Sequence, residues 1–163
     1  MSIVLAASLL AAVAAGQDTP PAGEGIAGDM QIAQVTITDI TAYGNQYRAG
    51  GLPHSATRAA IGDRIFTVIF FDRCRAGANG RCNLTAELSI IDPQGRSDEP
   101  QNGLVWQFPP PPAGRRTMGQ AMFGVQLGSA RSAGEYRFRV VTRDTVAGTE
   151  ITTERVLAIG AAR

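Results

Sequence analysis

A single histidine limits the catalytic chemistry that is open to this chain. A hydrolytic triad needs a nucleophile, a base and a group that orients the base, and the base would have to be His54. The adjacent Ser55 does not become a nucleophile by being next in sequence. The chain has no G-x-S-x-G motif and no lysine for a Schiff base or a Ser–Lys pair. We therefore expect no enzymatic activity, and a hydrolase using His54 is the least favoured alternative.

The two cysteines, Cys74 and Cys82, predict a disulfide. Together with one histidine they supply only three of the four usual zinc ligands, and a redox-active pair more often has the spacing C-x-x-C. Each cysteine borders a strand-like run, so a hairpin would bring the two opposite each other. Closing a loop of about nine residues stabilises the fold by roughly 2.5 kcal/mol in the chain-entropy model. A reactive or metal-binding pair and free thiols are the alternatives, and we expect neither a metal nor a cofactor.

Three arginines, Arg73, Arg75 and Arg81, surround the loop between the cysteines. They form a candidate binding surface for phosphate groups, acidic glycans or an acidic protein. The whole chain has a net charge of only +1. This falls short of the basic balance that is typical of nucleic-acid binding, so we expect no nucleic-acid partner.

Further arginines at positions 137, 139 and 143 alternate along a strand near the C-terminus. They too would suit an anion, but a solvated strand face is the favoured interpretation. On such a face the arginines would pair with Glu150 or Glu154 of the next strand, and each pair would contribute about 0.2–1 kcal/mol.

Trp106 and Phe108, followed by a run of four prolines, form the second candidate binding surface. They could present an apolar platform to a sugar ring or an extended peptide, or they could pack into the core beneath a loop. The acidic loop at residues 92–102 also offers oxygen ligands. Its spacing matches no dedicated calcium loop, and Arg96 lies within it, so we expect no metal there.

The elements that must position these residues all have strand patterns. Tyr136, Phe138 and Val140 alternate with arginines, a period of two that places one face on a core and the other in solvent. Residues 65–71 form a continuous β-branched and aromatic run, which indicates a strand buried on both faces. Prolines after residue 108 place the preceding strand at a sheet edge. About seven strands are expected, at residues 31–43, 65–71, 84–90, 104–108, 119–127, 134–143 and 149–159, with a connection at 44–62.

The N-terminal region predicts export. Residues 3–15 are apolar apart from Ser8, a length that suits a signal peptide, whereas a membrane-spanning helix needs about 20 residues. Small residues at 12, 14 and 15 offer a cleavage site. An apolar first element of the domain is the alternative. We expect a signal peptide at 1–15, a flexible tether at 16–30 and one domain at 31–160, with no membrane span in the mature form and a periplasmic or secreted location.

Two short motifs resemble those of exported bacterial immunoglobulin-like and fibronectin-III-like sandwiches. Residues 61–66, Ile-Gly-Asp-Arg-Ile-Phe, look like the entry to their second strand, and Gly134-Glu-Tyr136 resembles their penultimate strand, where a tyrosine makes the tyrosine corner. The resemblance implies an all-β, antiparallel sandwich. Such a fold hosts many functions. We expect a binding or assembly module with a protein partner in the cell envelope; a carbohydrate-binding module using Trp106 is the alternative.

Overall fold

The structure, a computed structural model, describes the backbone of Gln31–Asp39 and all atoms of residues 54–161. The regular elements in these ranges are eight strands: β1 Gln31–Asp39, β2 Arg58–Ala60, β3 Arg64–Arg73, β4 Leu84–Ile91, β5 Gln101–Trp106, β6 Thr117–Gln126, β7 Gly134–Asp144 and β8 Thr149–Gly160. No helix in the described ranges is long and apolar enough to cross a membrane. The expected signal peptide, the tether and residues 40–43 of the first expected strand lie outside the described residues.

The strands form two sheets. One has the order β1-β3-β6 and the other the order β2-β8-β7-β4-β5. Every pairing is antiparallel except that of β2 with β8, which is parallel. The all-β prediction is therefore confirmed, but the expected connection at 44–62 was wrong for Arg58–Ala60. Three residues are too few to show an alternating pattern, and their pairing with Ala158–Gly160 depends on a strand about a hundred residues away in sequence.

One apolar core joins the two sheets. In β3, Ile65, Ile69 and Phe71 point into this core, whereas Val68 and Phe70 are also fully buried without belonging to it. This confirms that β3 is buried on both faces. The core draws on both sheets, with Ile65, Ile69, Phe71, Phe123 and Val125 from the first and Leu84, Leu88, Val105, Tyr136, Phe138, Val140, Leu157 and Ile159 from the second.

The edge strand β5 is shifted and bulged relative to the expected 104–108. It begins at Gln101, because an edge strand tolerates polar residues on its solvent side, and it ends before the prolines. Leu104 is paired with Thr85 and Trp106 with Leu84, so Val105 is the extra residue of a β-bulge. The bulge turns Val105 and Trp106 towards the core together, while Leu104 is 42% exposed.

A glycine lets the edge strands of the two sheets approach each other. A Cβ atom on Gly119 of β6 would lie 2.6 Å from Cγ1 of Val105 in β5. Real Cβ atoms essentially never come this close, so only glycine permits the approach. The two edges therefore shield each other along this side of the molecule.

The C-terminal hairpin matches its prediction closely. β7 and β8 are paired without a register shift from Gly134 with Ile159 to Asp144 with Thr149. Near the start of β7, the Tyr136 hydroxyl donates a hydrogen bond to the carbonyl of Ser132 at 2.9 Å. This is the tyrosine-corner contact that the resemblance implies. We call this end of the sheets the tyrosine-corner end and the opposite one, where β3 and β7 finish, the disulfide end.

Candidate functional site

The disulfide between Cys74 and Cys82 is formed, as predicted, and both residues are buried. Cys74 directly follows β3, and Cys82 lies two residues before β4. Two backbone hydrogen bonds brace the loop between them, from Gly77 N to Arg81 O at 2.8 Å and from Gly80 N to Gly77 O at 2.9 Å. Gly80 has a φ of 72°, the left-handed conformation that favours glycine in a tight turn. Residues 74–82 therefore form a braced loop, which we call the disulfide loop.

A buried carboxylate ties the disulfide loop to the hairpin turn. Asp144 is fully buried, and its Oδ2 accepts a hydrogen bond from the Arg75 backbone N–H at 2.9 Å. Its Oδ1 accepts from the backbone N–H groups of Val146 and Ala147, both at 3.0 Å. Both carboxylate oxygens are thus used by backbone donors. One side chain therefore fixes the β7–β8 turn and the start of the disulfide loop together.

An aromatic series leads from the core to the surface at this end. Phe71 is fully buried, and its ring meets that of Trp106 edge-on at a centroid distance of 5.5 Å. Trp106 in turn meets Phe108 edge-on at 5.1 Å, and Phe108 is 43% exposed. The Trp106 indole N–H donates to the carbonyl of Pro109 at 3.0 Å. Trp106 therefore packs beneath Phe108, and the ring that faces solvent is that of Phe108.

The two candidate surfaces of the sequence lie side by side. The backbone N–H of Cys82 donates to the carbonyl of Phe108 at 2.9 Å, which places the end of the disulfide loop against the aromatic pair. Arg81 is exposed and directly precedes Cys82. Phe108, the prolines at 109–112 and the disulfide loop therefore form one continuous surface, which we call the disulfide-end surface.

Two arginines that the sequence interpretation missed also lie at this end. Arg115 and Arg116 directly precede β6, whose Thr117 is paired with Phe71 near the end of β3. Arg116 forms an ion pair with Asp72 at 3.5 Å. Their proximity to Arg73 depends on the pairing of β3 with β6. The sequence signal that could have identified these two residues is a pair of consecutive arginines directly before a strand.

The arginines of the hairpin belong to a different surface, the outer face of the five-stranded sheet. Arg143 contacts Glu150 at 2.7 Å and Glu87 at 3.6 Å. Arg139 lies directly opposite Glu154 in the register of β7 and β8. Basic and acidic side chains therefore alternate across this face.

His54 is exposed and lies four residues before β2. In the described part of the chain, no three histidine, cysteine, aspartate or glutamate side chains come together in a way that could hold a metal ion.

The acidic loop at the tyrosine-corner end is held by arginines. Asp92 accepts hydrogen bonds from the backbone N–H groups of Gln94 and Arg96 and from Arg96 Nε. Asp98 forms an ion pair with Arg131, whose guanidinium stacks over the Tyr136 ring. Partial burial raises the pKa of Asp92, but the hydrogen bonds from Arg96 and Gln94 and the charge of Arg96 outweigh it, so that this pKa lies below its ordinary value.

A cleft of about 610 Å³ opens between this acidic loop and residues 126–132. It is lined in part by Asp92, Arg96, Asp98 and Arg131. These four side chains already form two ion pairs, one between Arg96 and Asp92 and one between Arg131 and Asp98. The cleft therefore offers a ligand little uncompensated charge from these four residues.

Comparison with known proteins gives likeness in structure only. No protein family model matches the chain, and no curated protein matches it. The CARDB domain of a Pyrococcus furiosus protein, solved with di-metal ions, is 10% identical with a TM-score of 0.45, over 85% of this chain and 100% of that one. An immunoglobulin-like protein from Pseudomonas aeruginosa is 10% identical with a TM-score of 0.40, over 83% of this chain and 100% of that one.

An alkylpurine DNA glycosylase from Pseudomonas fluorescens, solved bound to DNA containing an abasic site analog, is 11% identical with a TM-score of 0.45. The match covers 81% of this chain but only 30% of the glycosylase, so the chain spans less than a third of that protein. Likenesses this remote carry no information about a ligand or a partner of the present chain.

Proposed function

We propose that this chain is an immunoglobulin-like β-sandwich that acts outside the cytoplasm as a non-enzymatic binding or assembly module, and that it engages a protein partner through the disulfide-end surface. The single observation that carries this proposal is the exposed Phe108 ring, which packs on Trp106 beside the disulfide loop.

The sandwich architecture is supported by two sheets that share one core and by the tyrosine-corner hydrogen bond. Action outside the cytoplasm is supported by the disulfide, because such bonds form and persist in oxidising compartments. The apolar run at residues 3–15 agrees with that location. The lack of an enzymatic role is inferred from the sequence, with its single histidine and its lack of lysine.

The geometry of Phe108 suits a binding residue. Aromatic side chains, phenylalanine among them, supply a large contact area and are enriched at protein–protein interfaces. The Trp106 ring supports Phe108 from below, and the carbonyl of Phe108 is fixed by Cys82. A partner that covered this ring would therefore not have to order it first.

Partner capture from the native cell envelope tests the proposal. The tagged chain without residues 1–15 is compared with Phe108→Ser and with Val156→Ser, a control that also removes an exposed apolar side chain (51% exposed) but from the middle of β8. We expect Phe108→Ser to lower recovery of the captured protein about tenfold and Val156→Ser to leave it unchanged. Equal recovery in all three would refute the proposed surface.

Two further measurements complete this test. Circular dichroism and a thermal melt show whether Phe108→Ser retains the fold, which we expect because the ring lies outside the core cluster. Capture of an envelope polysaccharide in place of a protein, lost in the same variant, would replace the protein partner with a carbohydrate.

The proposed export is tested separately. N-terminal sequencing of the full chain recovered from a bacterial host should give a start at Ala15 or Gly16, whereas an intact N-terminus in the cytoplasm would contradict export.

A further inference from the structure

The cleft at the tyrosine-corner end has the size of a small-molecule site. Its volume of about 610 Å³ lies within the range of roughly 300–1,000 Å³ that is typical of such sites. One wall is the acidic loop, where the Asp92 backbone N–H donates to the carbonyl of Arg96 at 2.8 Å. The other wall is residues 126–132, where the Arg131 N–H donates to the carbonyl of Gly128 at 3.0 Å. Both walls are therefore braced by their own backbone.

Arg131 joins the two walls. Its guanidinium pairs with Asp98 of the acidic loop and lies 5.6 Å from the centroid of the buried Tyr136 ring. The acidic loop also packs on the start of β7, because a Cβ atom on Gly134 would lie only 2.5 Å from Cγ of Pro93. A ligand that entered the cleft would therefore meet a guanidinium whose position is already fixed.

The charges that line the cleft cancel. They belong to two aspartates and two arginines, joined as the pairs Asp92 with Arg96 and Asp98 with Arg131. A charged ligand would give up its hydration without meeting an unpaired charge of the opposite sign. The cleft therefore favours an uncharged ligand.

The ion pairs leave hydrogen-bonding capacity in the lining. Asp98 accepts through Oδ2 from Arg131 Nη2, and Gln126 donates through Nε2 to the carbonyl of Gly62 at 2.8 Å. Ser132 accepts from Tyr136 through its backbone carbonyl. Among the described residues, no group bonds to Asp98 Oδ1, Gln126 Oε1, the Ser132 hydroxyl, or Nε and Nη1 of Arg131. Donors and acceptors are thus both available within a few side chains.

We propose that this cleft binds a neutral saccharide unit of about one or two rings. Each sugar hydroxyl donates one hydrogen bond and also accepts, so it uses donors and acceptors together. Neighbouring ring hydroxyls offer two oxygens to the planar fork of a guanidinium such as that of Arg131. Asp98 and Gln126 supply the acceptors. This site lies at the opposite end from the disulfide-end surface and goes beyond the proposed function.

Nuclear magnetic resonance titration tests the proposal. The full-length folded protein, labelled with ¹⁵N, is titrated with the neutral disaccharides maltose, cellobiose and lactose, with glucuronate as an anion and with glycine as a zwitterion. We expect at least one disaccharide to cause saturable shifts centred on the backbone amides of Gly128, Ala130 and Ser132, and glucuronate and glycine to cause none. No saturable shift with any disaccharide, or tighter binding of glucuronate or glycine, would overturn the proposal.

Arg131→Lys keeps the positive charge beside Asp98 but removes the guanidinium fork, so we expect about a tenfold or greater loss of affinity for the disaccharide. Its control, Arg139→Lys, makes the same change on the outer sheet face and should bind as the parent chain does. Ser132→Ala removes only a hydroxyl, should retain the fold in a thermal melt and should lose about threefold in affinity. Equal affinity in all three variants would overturn the proposal.

The saccharide site and the proposed function fail in different ways. Phe108→Ser should bind the disaccharide as the parent chain does, because Phe108 lies at the disulfide end. If it does so while envelope capture is also unchanged, the saccharide site stands and the proposed function is wrong. Disaccharide shifts that centre on Trp106 and are lost in Phe108→Ser would overturn the cleft as the binding site.

Discussion

At the disulfide end, a covalent bond and the buried Asp144 carboxylate hold an exposed, arginine-rich surface in place. At the tyrosine-corner end, the loops are held by the Tyr136 hydroxyl and by exposed ion pairs such as Arg96 with Asp92. The first end is therefore held by a covalent bond and by hydrogen bonds to a buried carboxylate, whereas the second is held by a buried hydroxyl and by ion pairs near the surface. The two ends of the same pair of sheets are thus stabilised by different kinds of interaction, and the predictions below test each end separately.

Asp144→Ala should have the largest effect on stability, because it leaves three backbone N–H groups without their acceptor. We expect a loss of about 3 kcal/mol in the free energy of unfolding, measured by urea denaturation. Asp144→Asn keeps one oxygen as an acceptor and should lose less. If both variants unfold like the parent chain, Asp144 does not hold the disulfide end together.

Replacing both cysteines by serine should cost about 2.5 kcal/mol, which is the loop-closure contribution of a loop of about nine residues. Because the disulfide loop contacts Phe108 through Cys82, this variant should also change the Trp106 emission spectrum of the folded state. Treating the parent chain with a reductant in mild denaturant should reproduce both effects. A stability loss without a spectral change would separate the loop from the aromatic pair.

Tyr136→Phe tests the opposite end. It removes the hydrogen bond to Ser132 but keeps the buried ring, so we expect a loss of about 1 kcal/mol. Recovery of the captured envelope protein should be unchanged, because the substitution lies at the far end of β7 from Phe108. A clear loss of capture with the fold retained would show that the two ends are coupled and would contradict the comparison between them.

The smallest effect concerns Asp92, whose folded-state pKa is lowered by its hydrogen bonds to Arg96 and Gln94. A lowered pKa stabilises the fold above the unfolded-state pKa of about 4, and this contribution is lost as the pH falls through the folded-state value. The free energy of unfolding of Asp92→Asn should therefore be lower than that of the parent chain at neutral pH, and the difference between the two should become smaller as the pH falls. Glu99→Gln, in the same loop, is the control; a gap of constant size would contradict the assignment.

The parts of the fold that the sequence predicted are those with a local pattern. The β7–β8 hairpin, the doubly buried β3 and the disulfide each show in a continuous stretch of chain. The strand β2 was missed because its three residues depend on distant Ala158–Gly160. The start of β5 was missed because edge strands tolerate polar residues.

For the candidate site, the sequence identified Arg73, Arg75 and Arg81 on one hand and Trp106 and Phe108 on the other, but as two separate surfaces. Their joining depends on the pairing of β4 with β5, which places Leu84 opposite Trp106, and on the hydrogen bond from Cys82 to Phe108 that continues this pairing. Arg115 and Arg116 were missed for the same reason, since only the pairing of β3 with β6 brings them to this end.

By itself, the sequence determined the all-β class, the longer strands with their core-facing positions and the disulfide, because alternation and short loop closure are properties of neighbouring residues. Only the tertiary structure decided that Trp106 packs beneath Phe108, that the Asp144 carboxylate accepts hydrogen bonds from three backbone N–H groups, and that five arginines lie at one end. The physical reason is that these features arise from pairing between strands far apart in sequence, and net charge, which counts residues without placing them, could not show them.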